Sequence, residues 1–284
     1  MIDAIQRFLL EDLDIRGAVV RLSEVWQALL QGRDYTGGVA SLFGQASAVT
    51  AIIAAKLKNT GRLTLQLQGH GPVRLLVVDC TANLNLRGHV RSEGDLTALD
   101  VPSLFGDGQL LMTLDFADGT QPYQSYVPIE GATLAEVFEH YLAQSEQAPA
   151  RLWLAADGQG AAGLFLQKLP GADERDPDGW NRIVQLAETV REAELLGLPA
   201  EQLLTRLFHE ETVRIFPPRA VRHDWPMDWD KIRATLRSLG RTEIDAIVRD
   251  QGEIVVHDDL SNHTYRFGPG DIDALFSDPT SRLH

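Results

Sequence analysis

The chain has 284 residues, a length that suggests about two structural units and leaves ample sequence to bury a core. With 44% hydrophobic residues, 23% charged residues and a mean hydropathy of -0.13, its composition excludes a membrane protein, a disordered chain and a fibrous repeat. The 40 acidic and 26 basic residues give a formal net charge of -14, and no segment is basic, so we expect no nucleic-acid partner.

Cysteine usage and hydropathy point to the cytoplasm. Cys80 is the single cysteine, which rules out an intramolecular disulfide and a cysteine-rich metal site. The longest apolar stretches are shorter than a bilayer span, and the first residues lack the basic-then-apolar order of a secretory signal. We therefore expect a cytoplasmic protein with no membrane partner.

Residues 1–172 have the patterning of an α+β domain. Two helices are predicted over Ser23–Leu30 and the alanine-rich Val39–Lys58, and an amphipathic helix follows Thr133. Strand candidates separated by glycine and asparagine turns lie between and after them, and in the first candidate leucines alternate with polar residues, as in a sheet with one solvated face. The predicted strands are Arg62–Gln68, Val73–Cys80, Leu84–Arg91, Gln109–Phe116, Gln124–Pro128, Arg151–Ala156 and Leu164–Leu169.

Residues 173–219 are predicted to form a helical linker. A polar, turn-rich run over Ala172–Gly179 marks the boundary before it, and Pro217–Pro218 ends it. Pro199 opens the second of two helices, and apolar residues recur at helical spacing in both. These apolar residues are Trp180, Ile183, Val184, Leu203, Leu204 and Leu207.

Residues 220–284 are predicted to form a small α+β tail. It has one helix from Trp229 to Leu239, a short helix near Ile244–Val248, and a strand pair around Ile254–Val256 and Thr264–Phe267. The whole chain is therefore assigned to the α+β class: an N-terminal domain with a mixed or antiparallel sheet, a helical linker and this tail.

No motif in the sequence makes a convincing catalytic site. Gly158–Gly163 matches the GxGxxG dinucleotide pattern, but it runs into a strand instead of opening a helix, which favours a hairpin turn. His209 begins a stretch resembling half of a zinc-protease motif, but Val213 stands where the second histidine is needed. Cys80 ends an apolar strand and is typical of a small buried hydrophobe. We expect no catalytic residue, no enzyme activity and no cofactor.

A metal site is an open alternative at one further group of polar residues. His257, Asp258, Asp259 and His263 carry nitrogen and oxygen donors close together in the sequence. Their spacing fits no strong metal-binding pattern, and acidic residues suit a solvated turn equally well. The turn is the favoured interpretation.

Six stretches together are more specific than any of these motifs. They are Leu63–Pro72, Leu75–Cys80, Leu86–Arg91, Gln144–Gln147, Ala161–Pro170 and Arg206–Glu211. In this order they span nearly the whole chain, which through them resembles the heat-shock protein 33 family. That resemblance implies an ATP-independent holdase chaperone of the bacterial cytoplasm, with an α+β domain, a helical linker and a C-terminal zinc-binding redox switch.

The resemblance also implies the partners and the surface that binds them. Unfolding client proteins are the expected partners, and a homodimer stays open because family members dimerise on activation. The expected client-binding residues are the six apolar residues of the linker, together with the sheet surface that they cover. Apolar contact suits a holdase because unfolded clients share little beyond exposed hydrophobic surface.

The chain departs from the family at the switch. The resemblance places Trp225 and Met227 at the CxC positions and Asp258 and Ser261 at the CxxC positions, so all four zinc-binding thiols are absent. A thiol switch is then chemically impossible. We expect client binding to be controlled by thermal or chemical loosening of the tail and linker, or to be permanently available. The alternative is a regulatory or partner-binding protein that kept the fold without chaperone activity.

Losing the zinc has an energetic consequence for the tail. A structural zinc site contributes on the order of 10–16 kcal/mol to folding. Full burial of Trp225, Met227 and Trp229 would recover roughly 2–3 kcal/mol apiece. The tail is therefore expected to fold less securely than a zinc-bound version.

Overall fold

The computed structural model describes residues 3–57, 61–94, 96, 100–116 and 121–277. They form two compact units, Met1–Asp224 and Trp225–His284. Residues 173–219, the predicted linker, lie within the first unit, and the second unit begins at Trp225 instead of residue 220.

The first unit contains eleven of the strands and eight of the helices among the described residues. Its strands are β1 (Ala4–Leu10), β2 (Ile15–Leu22), β3 (Gly61–Gln68), β4 (Val73–Thr81), β5 (Leu86–Ser92), β6 (Gln109–Phe116), β7 (Tyr123–Pro128), β8 (Ala150–Ala156), β9 (Ala161–Lys168), β10 (Val213–Ile215) and β11 (Arg219–Ala220). Its helices are α1 (Glu24–Leu30), α2 (Gly37–Ala54), α3 (Val101–Phe105), α4 (Leu134–Glu146), α5 (Ala172–Arg175), α6 (Gly179–Ala187), α7 (Glu192–Gly197) and α8 (Ala200–Leu207).

Two antiparallel sheets enclose helix α2. One sheet has the order β5-β4-β3-β6-β7, and the other has the order β10-β1-β2-β9-β8, with β11 also paired to β1. Helix α2 contacts strands of both sheets, and it is apolar nearly all round, as a fully buried helix must be. Small residues let the sheet approach closely: a Cβ atom on Gly44 would lie 2.5 Å from the Cβ of Ala156.

The α+β class is confirmed, and each predicted strand is present, although β5 begins two residues later than predicted and β9 begins three residues earlier. The glycine-rich turn is also confirmed as a hairpin connection, because it joins β8 to β9 and the Asp157 carboxylate accepts from the amides of Gln159 and Gly160. The second predicted helix is shorter than expected, since α2 ends at Ala54, and Lys58 lies outside the described residues. Val213 lies in strand β10, so the stretch that begins at His209 does not continue α8.

The second unit packs its own apolar core. It contains α9 (Trp229–Leu239), α10 (Arg241–Gln251), β12 (Ile254–Asp258), β13 (His263–Phe267) and α11 (Pro269–Ser277). Strands β12 and β13 form an antiparallel hairpin, and the Asp228 side chain caps α9 by accepting from the Lys231 amide. The buried core residues are Ile232, Leu236, Ile244, Ile254, Tyr265, Phe267, Ile272 and Leu275.

One helix in the described part of the chain is long and apolar enough to cross a membrane. This helix is α2, and 78% of its most apolar stretch is buried inside the protein. That burial is typical of a core helix.

Candidate functional site on the linker-covered sheet

The sheet that contains β1, β2 and β9 has an apolar core on each face. Because side chains alternate along a strand, neighbouring residues belong to different cores. In β2, for example, Ala18 and Val20 pack with α2, whereas Val19 faces the other way. The side chains of this other face, which we call the outer face, include Phe8, Leu10, Ile15, Val19, Leu164 and Leu166.

The linker helices bury most of the predicted client-binding residues on the outer face. Four of the six are only 0–2% exposed and belong to the same apolar cluster as the strand residues: Ile183, Leu203, Leu204 and Leu207. Trp180 is half-buried and packs against that cluster. Val184 is half-buried and is not a member of the cluster, so the structure does not bring it together with the other five.

Other residues of this surface were missed by the sequence analysis. Helix α7 was not predicted, yet it contacts β8 and β9 and buries Leu195. Phe208, just after α8, lies with its ring centroid 6.2 Å from that of Phe8 in β1. The hairpin of β1 and β2 was not predicted either, although the run of branched residues in Ile15–Leu22 is typical of a strand.

One half-buried arginine, Arg21 of β2, ties the linker to the outer strands. The Arg21 guanidinium donates to the carbonyl oxygen of Leu196, within α7, at 2.5 Å and to that of Leu198, just after α7, at 2.7 Å. Arg21 is half-buried, and burial lowers the pKa of its guanidinium although the charge of Asp3 opposes this effect. Charge-assisted hydrogen bonds of this kind are stronger than neutral ones. Arg21 is therefore the strongest polar attachment of α7 to the outer strands that we identify.

Two ion pairs at the periphery add weaker attachments. Arg151 of β8 pairs with Glu188 after α6 at 3.2 Å, and Lys168 of β9 pairs with Asp173 of α5 at 2.6 Å. Exposed pairs of this type contribute about 0–1 kcal/mol each and are screened by salt. Apolar burial, and not these pairs, must hold the linker in place.

Within the linker, Glu194 organises the start of α7. Its carboxylate accepts from the side chain and the backbone amide of Arg191, and it pairs with Arg206 of α8 at 2.7 Å. These contacts, led by the side-chain hydrogen bond from Arg191, lower the pKa of Glu194 to about 2. The pair with Arg206 joins two linker helices, so the linker has internal order of its own.

The energy of the covered surface follows from its burial. Burying a Leu or Ile side chain contributes about 1.5–3 kcal/mol, so the four fully buried linker residues contribute roughly 6–12 kcal/mol before the entropy of ordering the linker is subtracted. A cover held by apolar contacts of this kind is closed in the native state and opens with a free energy below that of global unfolding.

The four switch positions of the tail do not form a zinc-ligand set. Trp225 offers no ligand atom, Met227 is 40% exposed and Ser261 is buried. The Asp258 carboxylate already accepts from the amides of Leu260 at 3.1 Å and Ser261 at 3.4 Å. Burial opposes ionisation of Asp258, but the Ser261 amide, Lys231 and the Leu260 amide together hold its pKa below the ordinary value. Zinc requires thiolate, imidazole or carboxylate donors around one point, and these residues do not supply them.

The neighbouring histidines do not change this conclusion. His257 Nδ1 lies 3.1 Å from the Thr264 hydroxyl, and its Nε2 lies 3.8 Å from Asp259. Across residues 3–277, where the structure describes them, no group of three or more His, Cys, Asp or Glu side chains is placed to hold a metal ion.

Aromatic packing occupies the tail core instead. The Trp229 ring meets the rings of Tyr265 and Phe267 edge-on, at centroid distances of 5.0 and 5.7 Å, and the Tyr265 hydroxyl accepts from the Asp228 amide. The full burial of Trp225, Met227 and Trp229 that would replace part of the zinc energy does not occur, because Met227 and Trp229 are 40% and 37% exposed and Trp225 is half-buried. Tyr265 and Phe267 of β13, which are 0% and 3% exposed, supply the burial.

Cys80 cannot act as a redox switch in the folded protein. It is 0% exposed in the core around α2, and burial, with a smaller contribution from Asp79, raises the pKa of its thiol well above the usual range. A thiol without access or thiolate character is inert.

Comparison with known proteins places these observations in one family. The family model described as Hsp33 protein matches residues 3–268. A 33 kDa chaperonin of Methylobacillus flagellatus is 40% identical over 97% of this chain and 94% of its own, and that of Nitrosococcus oceani is 42% identical over 97% and 95%. The crystal structure of the 33 kDa chaperonin of Thermotoga maritima has a similar fold, with a TM-score of 0.80, 22% identity and 98% coverage of both chains.

Proposed function

The chain belongs to the Hsp33 protein family, and on that basis we propose that it is a chaperone: an ATP-independent holdase that works without thiol or zinc control. The observation that carries the proposal is the outer face of the sheet, a continuous apolar surface covered by short amphipathic helices. Relatives named 33 kDa chaperonin support the chaperone assignment.

The proposed cycle is an opening of the linker. In the closed state, four linker residues bury their apolar side chains against the strands: Ile183, Leu203, Leu204 and Leu207. When the linker detaches, both its apolar stripe and the outer face become available to a client that exposes hydrophobic side chains. A client that binds only the open state shifts the population towards it. The net charge of -14 keeps the complexes dispersed.

Heat, in place of oxidation, is the proposed trigger. The switch positions carry no thiol, and the small tail unit has only an apolar and aromatic core. Small units of this kind are marginally stable. We propose that the tail and linker loosen on warming before the rest of the first unit unfolds.

Light scattering of two unrelated client proteins during thermal unfolding tests this function. The assay compares each client alone, with this protein and with an equal mass of an inert acidic protein, under reducing and oxidising conditions. We expect suppression of aggregation that rises with temperature and is the same with and without oxidant. Absence of protection at every temperature would favour the alternative, a regulatory protein that binds one native partner.

A chelator provides a second test, directed at the metal. Incubation with a strong chelator is expected to leave the melting curves of both units unchanged. A structural metal would stabilise the folded state, so its removal would lower the melting temperature. A large fall in the melting temperature of the tail would overturn the proposal of a metal-free tail.

The remaining parts of the proposal concern location, assembly and chemistry. We propose a cytoplasmic protein without catalytic activity or a bound cofactor, whose partners are unfolded clients. A homodimer belongs to the open state in this proposal, because the exposed apolar surface of one copy can pack on that of another. Sedimentation of cool and warmed protein tests this step: dimer present only after warming supports it, and a monomer at both temperatures contradicts it.

A further inference from the structure

A cavity lies on the opposite face of the same sheet, beyond the end of α2. Its volume is about 530 Å³, and its floor includes Ile5, Ala18 and Phe165, which belong to the core around α2. Ile52, in the last turn of α2, and residues 55–57 after the helix line it together with strands β1, β2 and β9. The cavity therefore lies at the C-terminal end of α2, between the chain that leaves the helix and the sheet.

The walls of this cavity are apolar and its rim is basic. Leu9, Leu57 and Phe216 contribute apolar surface, and these residues are half-buried. Four cationic side chains also line it: Arg7, Arg16, Lys56 and Arg219. A cavity of this size with apolar walls and a few polar groups has the form of a small-molecule site.

These four cations have a shortage of acidic partners. Arg16 and Lys56 share one carboxylate, that of Glu146, at 3.4 and 3.1 Å. Arg219 donates to two backbone carbonyl oxygens, those of Ala55 and Ala82. Within the described part of the chain, Arg7 has no carboxylate within ion-pair distance, and its guanidinium lies 5.7 Å from the centre of the Phe216 ring. Four cations therefore face one acid in a protein whose net charge is -14.

The environment of the Lys56 ammonium group leaves room for a second anion to stabilise its charge. The ammonium nitrogen lies 4.2 Å from the centre of the Phe165 ring, and burial lowers the pKa of Lys56 although Glu146 opposes this effect. A second anion near Lys56 would stabilise its charged form. The C-terminal end of α2 carries partial negative charge and disfavours an anion, but the Ala55 carbonyl already accepts from Arg219.

We propose that this cavity binds an amphipathic monocarboxylate, a medium-chain fatty acid, with its carboxylate between Arg7 and Lys56 and its chain along Ile5, Ala18 and Phe165. The surplus of positive charge selects the carboxylate head group, and the apolar floor selects the alkyl chain of the fatty acid. This inference is independent of the proposed function, because the cavity lies on the face of the sheet opposite to the linker-covered outer face.

The test uses decanoate below its micellar concentration as the probe, with the full-length protein. Isothermal titration calorimetry is expected to give saturable binding at one site per chain, weakened by high salt. Decanol and decylammonium are controls of equal chain length. Equal binding of decanol would show that the cavity is merely apolar and would overturn the proposal, as would the absence of saturable decanoate binding.

A matched pair of variants locates the site. Arg7 and Arg214 both lie over the Phe216 ring, at 5.7 and 5.3 Å, but only Arg7 lines the cavity. Arg7→Gln is expected to weaken decanoate binding about five- to tenfold, the loss of one charge-assisted contact, whereas Arg214→Gln leaves it unchanged. Leu9→Trp, which fills the cavity, is expected to weaken binding further. Equal effects of the two arginine variants, or no effect of either, would place decanoate elsewhere and overturn the assignment.

One competitor separates the proposed ligand from a protein partner. A short peptide with acidic and aromatic residues could satisfy the same charges. If such a peptide displaces decanoate and binds more tightly, the cavity is a peptide site and the proposal is wrong. Failure of the peptide to compete, together with the Arg7→Gln result, supports the fatty acid. Circular dichroism of each variant confirms that it is folded.

Discussion

Replacing Arg21 by glutamine is expected to release the linker without altering its apolar surface. Arg21 lies in β2, and its guanidinium donates to the carbonyl oxygens of Leu196 and Leu198 at the end of α7. Its guanidinium also donates to the Gly197 carbonyl oxygen at 3.4 Å. Glutamine is shorter and uncharged, so these hydrogen bonds are lost. The leucines and isoleucines that would contact a client are untouched, which separates the latch from the binding surface.

The size of the effect follows from the contacts that are lost. Hydrogen bonds to a charged group contribute about 1.5–3 kcal/mol each, and the half-exposure of Arg21 reduces this value because water replaces part of the interaction. We expect the free energy of linker opening to fall by about 1–3 kcal/mol. The open population would then rise by about 5- to 150-fold, and chaperone activity should begin at a lower temperature.

Two measurements are needed for this prediction. Native-state hydrogen exchange should show faster exchange in α6, α7 and α8 but not in α2, and light scattering should show client protection at a lower temperature. The matched control is Arg74→Gln. Arg74 also donates to a backbone carbonyl, that of His70, at 2.8 Å, but it lies on the other sheet. The control should change neither measurement.

One result would refute the reasoning. If Arg21→Gln accelerates exchange in the linker helices but leaves the temperature dependence of client protection unchanged, the covered face is not the client-binding surface. A variant that changes neither measurement would show that Arg21 does not hold the linker.

The other predictions concern the linker, the tail, pH and the cysteine. Leu204→Ala should lower the free energy of unfolding of the first unit by about 2–5 kcal/mol in denaturant titrations, because Leu204 is 1% exposed. Trp229→Ala should lower the melting temperature of the tail but not that of the first unit, since it removes two edge-on ring contacts worth about 0.5–1.5 kcal/mol each; Met227→Ala, at a 40% exposed position, is the control. Because the pKa of Glu194 is lowered from 4.5 to about 2 in the folded protein, its contribution to linker stability is fully present above pH 4.5 and is lost as the pH falls through about 2. Glu194→Gln should remove that part of the acid dependence of linker hydrogen exchange. Cys80 should react with an alkylating reagent only when the first unit unfolds, and Cys80→Ser should protect clients as the parent protein does, with or without oxidant.

Each of these predictions has a contrary outcome. Unfolding of Leu204→Ala at the parental midpoint would show that the linker is detached in the native state. A common melting shift of both units in Trp229→Ala would show that they unfold together. An unchanged acid profile in Glu194→Gln would assign the acid sensitivity to other groups, and rapid alkylation of native Cys80 would show that its strand opens readily.

Local sequence patterns predicted those elements whose stability is decided locally or by simple alternation. The alternating leucines of β3 and the apolar residues of α2 indicated a half-solvated strand and a core helix, and both are present. The thiol-free switch was equally readable, because zinc ligation depends on side-chain identity.

Long-range pairing was beyond such patterns. Strand β10 is three residues long and exists because Val213–Ile215 pairs with β1, about two hundred positions earlier in the chain. No periodicity in so short a segment predicts a strand. The same holds for α7, whose place in the covered surface comes from contacts with β8 and β9.

The sequence by itself determined the α+β class, the apolar linker stripes and the absence of switch thiols, because composition and periodicity constrain each of these within a few turns or strands. Tertiary structure alone decided which face of the sheet the linker covers, that Val184 is not part of the apolar cluster, and that Met227 and Trp229 are partly exposed. It also brought four cationic side chains to one cavity at the end of α2. Burial at these positions depends on residues far away in the chain, and a local pattern carries no information about them.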